Sequence, residues 1–194
     1  MFLIKKRARF KSFFKDVAES VSGTEQDFTE GRLSRAILLL SIPALLEMIM
    51  ESVFVIVDIY FVSKLGPDAV ATVGITESLI TIIYAIAIGL GIATTSLVSR
   101  RIGEKNHDSA SKTAFQAIIT GLVISIVIGI PGALYASRLL DIMGASQPII
   151  DNMAGYTRLM LGGNIVIMMI FIINAIFRSA GDAALAMKVL WIGN

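Results

Sequence analysis

The chain has 194 residues, of which 55% are hydrophobic and only 16% charged, with a mean hydropathy of +0.78. Soluble domains carry about 25% charged residues, so this composition excludes one and indicates an all-α, polytopic helical membrane protein in contact with lipid. A net charge of +2 is too small to mean anything as a total, its distribution matters more, and no nucleic-acid partner is expected. The lack of cysteine excludes disulfide and thiolate chemistry, and the one histidine, His107, lies in a polar stretch.

Residues 1–20 mix Lys and Arg with Phe2, Phe10, Phe13 and Phe14, and no apolar run of signal-peptide type follows them. They suit an amphipathic helix on an anionic leaflet or a basic tail. With the polar linker behind them, residues 1–32 are expected to form a cytoplasmic N-terminal segment, and residues 33–194 the membrane domain.

The first expected span, 36–62, carries Glu47, Glu51 and Asp58 and no Lys or Arg. At 1.5 Å per residue it measures about 40 Å, enough to cross a bilayer with some tilt. At 100° per residue, Glu51 lies about 40° and Asp58 about 20° from Glu47, so the three acids share one narrow stripe. Acids on one stripe predict a face turned toward protein or a wet cavity and away from lipid. Glu47 could also bond a carbonyl left free by Pro43, whose ring removes a backbone donor.

Gly66-Pro67 marks a tight turn. A second span is expected over 69–99, with Glu77 as its one acid, and a polar loop over 100–112. A third span covers 113–136, and a connector with Arg138, Asp141, Gly144 and Pro148 follows. The fourth, 152–177, is rich in Met and Ile and contains Asn164 and Asn174, which suit inter-helix hydrogen bonds or the polar lining of a cavity. Met48, Met50, Met160, Met168 and Met169 could line that cavity or simply pack. Asp182, in a GDA turn, suits a helix cap. A fifth span begins near 184 and reaches the last residue, so the chain is expected to be truncated.

Of the 17 lysines and arginines, all but Lys64, Arg138 and Arg158 fall on one side of this topology. That bias places the N-terminus in the cytoplasm, with the cytoplasmic (inner) membrane as the expected location. Asp58, Glu77 and Glu51 then lie about 7, 12 and 16 Å below the outer surface. They could line one outward-facing acidic cavity, which attracts cations.

Five segments carry a resemblance in order: IPALLEMIMESVFVIVDIYFVSKLG, PDAVATVGITE, SLVSRRIGEKN, LLDIMGASQPI and NAIFRSAGDAALAMKV. Together they resemble the multidrug and toxic compound extrusion (MATE) family, and residues 1–32 lie outside the likeness. The resemblance implies a twelve-helix transporter of two six-helix lobes, of which this chain is part of the first. The C-terminal lobe of the same protein is then an expected partner. It also implies export of an organic cation or drug in exchange for Na⁺ or H⁺, with no cofactor. The family's coupling-ion aspartate maps onto Asp58, the expected site of a Na⁺ or proton, with Glu51 as its deeper neighbour; the companion residues of the fifth helix would lie past Asn194. Glu47 and Glu51 depart from the family's usual apolar or amide residues and, with Glu77, are candidate cavity acids. A lipid-linked saccharide flippase of a related superfamily and a non-transporting membrane subunit are the competing readings. No nucleophile–base pair or metal-ligand spacing suggests an enzyme.

Overall fold

The computed structural model describes residues 33–193 and, before them, Val17, Ala18, Ser20 and Val21. The expectation of an amphipathic N-terminal segment thus falls almost wholly outside the described residues. The order is α1 (Leu33–Ser63), α2 (Pro67–Gly103), α3 (His107–Leu134), α4 (Ala136–Ile142), α5 (Gln147–Gly162), α6 (Asn164–Ser179) and α7 (Ala183–Gly193). No strand occurs among the described residues.

Local chemistry sets the helix ends. Gly66 has φ 105°, in the region that favours glycine, and Pro67 follows in the first turn of α2, where its missing N–H costs nothing. Asn106 caps α3 by accepting from the Ser109 N–H at 3.0 Å. Asp182 does the same for α7, accepting from the Leu185 N–H at 2.9 Å.

Three features depart from the sequence expectation. The loop expected over 100–112 is mostly helix, because α2 runs on to Gly103 and α3 begins at His107. The connector after the third span holds the short helix α4, whose Leu140 is buried. The fourth span is two helices broken at Gly163, although Gln147–Ser179 as a whole remains long and apolar enough to cross a membrane. At the break Asn164 is fully buried. Its amide donates to Leu161 O at 2.6 Å and Ser125 O at 3.2 Å, and Ser125 Oγ donates to its Oδ1 at 2.5 Å. A polar side chain that gives one bond to the backbone beside the break and exchanges two with Ser125 of α3 makes the interruption tolerable in an apolar surrounding.

Helices α2, α3, α5 and α6 form the bundle, around buried Ile80, Ile83, Ala87, Leu161, Met168 and Ile172. Lipid is as apolar as leucine, so close packing and inter-helix hydrogen bonds must hold these helices together. Both occur. Thr76 and Thr157 share a buried bond of 2.8 Å between α2 and α5. A Cβ on Gly129 would lie 2.5 Å from Asn164 Nδ2 and 3.3 Å from Leu161 O, so only glycine admits that approach of α3 to the α5–α6 break. Helix α1 stands apart: it packs chiefly on α7 and lightly on α2, and its buried residues are Leu39 and Pro43.

Candidate functional site

Between α1 and the bundle lies a cavity of about 900 Å³, running from Val62 and Val70 near the α1–α2 turn to Glu47 and Arg178 at the far end. Its α1 wall presents Glu47, Glu51 and Asp58, and α2 contributes Glu77. The single stripe written into α1 and Glu77 of α2 therefore meet in one space. The Asp58 and Glu77 carboxylates are close enough to repel one another across it.

Arg178 of α6 is the one basic residue in this lining. Its Nη1 donates to Glu47 Oε2 at 3.0 Å, and the Glu47 side chain is only 11% exposed. This corrects two sequence expectations. Glu47 does not turn back to the carbonyls near Pro43, and the acids are not wholly uncompensated, because an arginine from the end of the fourth span reaches the first. Glu47 Oε1 is buried without a hydrogen-bond partner.

The two asparagines part company. Asn174 is buried in α6 and lines the cavity, whereas Asn164 does not; its donors and acceptor are spent at the helix break. The methionines also divide: Met48, Met50 and Met160 line the cavity, while Met168 and Met169 belong to the packed core.

Sequence reasoning missed the aromatics. Phe54 of α1, Tyr84 of α2, Tyr156 of α5 and Phe171 of α6 all line the space. Tyr84 and Phe171 pack edge to face with centroids 5.9 Å apart. The Tyr84 and Tyr156 hydroxyls both lie within electrostatic range of Glu77. Aromatic faces beside carboxylates hold organic cations by combining ring quadrupole attraction with a negative field. A signal existed: Glu77 and Tyr84 are seven apart on one helix, two turns along the same face.

The MatE family model matches residues 43–194. This chain belongs to the MATE family. Among MATE relatives it is 25% identical over 150 residues to the FAD transporter of Shewanella oneidensis, covering 77% of this chain and 33% of that one. The probable multidrug resistance protein YoeA of Bacillus subtilis is likewise 25% identical over 150 residues, covering 77% and 32%. Among solved structures, an outward-facing multidrug resistance MATE transporter of the MOP superfamily aligns with a TM-score of 0.79 at 32% identity, covering 85% of this chain and 37% of that chain. A MOP superfamily transporter from Pyrococcus furiosus, described as having a binding pocket of reverse polarity, aligns with the same TM-score and identity. The chain spans about a third of the length of the curated relatives it matches. With four segments among the described residues long and apolar enough to cross a bilayer, it is an integral membrane protein of this transporter family.

Proposed function

We propose that this chain is part of a secondary active antiporter that exports organic cations or drugs across the cytoplasmic membrane in exchange for Na⁺ or H⁺. The observation that carries this reading is the composition of the cavity: four carboxylates against one arginine, with aromatic walls. Such a space favours a bulky cation and disfavours an anion. Asp58 is the coupling residue and Glu51 its neighbour about two turns below. A carboxylate there can take a proton, or serve as a hard oxygen ligand for Na⁺. The N-terminus is cytoplasmic, no cofactor takes part, and the chain catalyses no covalent chemistry.

The same lining argues against a flippase for pyrophosphate-linked saccharides. That cargo calls for several free cationic side chains, and Arg178 is already bonded to Glu47. The FAD transporter among the relatives would likewise need cationic groups to hold a pyrophosphate, so its cargo is not carried over to this chain.

The test is transport by the full-length protein in everted vesicles under an imposed pH or Na⁺ gradient, with a fluorescent organic cation as cargo. The unmodified protein exchanges cation for ion, and Asp58→Asn lowers that exchange about tenfold or more, the equivalent of at least ~1.4 kcal/mol of lost ion binding. Equal exchange by both would move the coupling role to another acid. No exchange under either gradient would sink the organic-cation reading.

A further inference from the structure

Helix α1 has two stretches with different surroundings, and Glu47 sits where they meet. Below it, Leu39 and Pro43 are the buried residues of α1, and α1 packs on α7. Leu39, Pro43 and Glu47 recur every four residues, so they form one continuous stripe. Above it, from Met48 to Val62, the same helix stands away from the bundle and walls the cavity. Glu47 thus follows the buried stripe of α1 and is the first residue of α1 in the cavity lining. Arg178 lies in the last turn of α6, just before the turn into α7.

We infer that the Glu47–Arg178 ion pair is a positioning clasp that pins α1 to the α6–α7 corner and closes that end of the cavity. The 3.0 Å bond joins residues 131 apart in sequence and ties α1 directly to α6. Its setting makes it directional. A largely buried carboxylate that loses its arginine keeps an uncompensated charge, so the pair resists separation far more than an exposed pair does. Glu47 Oε2 accepts from Arg178, and Oε1 is buried without a hydrogen-bond partner. Glu51, Asp58 and most of the apolar residues of α1 are exposed in this chain, whereas Glu47 is not.

The inference does not depend on which cargo or ion is carried, so its test reads helix position directly. The chain contains no cysteine, which leaves a clean background for labelling. Spin labels at Ile49→Cys on α1 and Ile173→Cys on α6, both exposed positions, are placed in the full-length protein reconstituted in nanodiscs. The unmodified pair gives one narrow distance distribution. Glu47→Gln and Arg178→Gln each broaden and lengthen it, and transport falls about tenfold in each. The exchanged pair Glu47→Arg with Arg178→Glu restores the narrow distribution and returns transport to within about threefold. A distribution left narrow in both single variants overturns the clasp. So does a folded exchanged variant, judged by monodisperse elution, that stays as broad as the single variants, since the two residues would then act separately. If distances behave as expected while the unmodified protein moves no organic cation, the clasp stands and the antiporter reading falls.

Discussion

Two regions of this molecule are built by opposite rules. In the bundle, α2, α3, α5 and α6 meet through interdigitated apolar side chains, a glycine approach and buried bonds between Thr76 and Thr157 and between Ser125 and Asn164. Helix α1 is more apolar than a surface helix needs to be, yet only 6% of its central apolar stretch is buried, against 28% in α2 and 33% in the α5–α6 span. Among the described residues it packs on α7 and lightly on α2, and the Glu47–Arg178 pair joins it to α6. The contrast separates a scaffold from a wall.

The sharpest way to break that contrast is to damage both regions alike. Gly129→Val in the bundle drives a branched side chain into Asn164 and the Leu161 carbonyl, and costs about 3 kcal/mol through overpacking and lost hydrogen bonds. The expected drop in melting midpoint is roughly 6–12 °C, read by fluorescence-detected elution of the detergent-solubilised protein after heating. Ile56→Ala, at a 68% exposed position of α1, should leave the midpoint within about 2 °C. Equal losses from the two substitutions would erase the distinction between scaffold and wall.

A smaller effect is expected where the two regions face each other. Tyr84 belongs to the bundle but looks across the cavity toward the acids of α1 and α2. Tyr84→Leu removes one aromatic face and should raise the KM for a planar aromatic cation about 3–30-fold, the range of a desolvated cation–π contact. Tyr84→Phe keeps the ring and should stay within about threefold. A hydroxyl-dependent loss, with Tyr84→Phe as defective as Tyr84→Leu, would replace the aromatic role with a hydrogen-bonding one.

The smallest effect lies outside both regions. Glu104, just past the end of α2, accepts hydrogen bonds from Arg100 and Arg101 at 3.0 and 3.1 Å, and these hold its carboxyl below the usual glutamate value. A depressed value means that any stabilisation is complete above the ordinary glutamate pKa and is lost as the pH falls through the lowered one. Both arginines and the carboxylate are solvent-exposed, so screening leaves little of it. Glu104→Gln should shift the midpoint by about 1 °C or less at pH 7, with the difference vanishing in acid.

Much of the architecture was legible because it is periodic. Long apolar runs gave the spans, Gly66-Pro67 gave the turn, and the 100° repeat placed Glu47, Glu51 and Asp58 on one stripe. What periodicity could not supply was the identity of partners distant in sequence. Arg178 reads as a loop-side cation until the fold brings it against Glu47, and nothing local to either residue specifies the other. Asn164 looked equivalent to Asn174, ten residues away on the same apolar run. Only the break at Gly163 turns one of them into a backbone-satisfying group and leaves the other in the lining. Tyr84 and Tyr156 were hidden for a different reason. A tyrosine in an apolar span counts as span filling, and its role emerges only from what lies opposite.

The acidic stripe of α1 has an electrical consequence. Glu51 and Asp58, the two acids of the proposed coupling site, are seven residues apart on one helix, about 10 Å along its axis, or roughly a third of the thickness of a hydrocarbon core. Under that proposal, and with the cavity sealed from bulk water, a monovalent ion stepping between them would cross about a third of the membrane voltage, roughly 0.8 kcal/mol per 100 mV. That bias would change the occupancy ratio of the two acids about fourfold. The potential across the membrane would then weigh on which of the two is filled first.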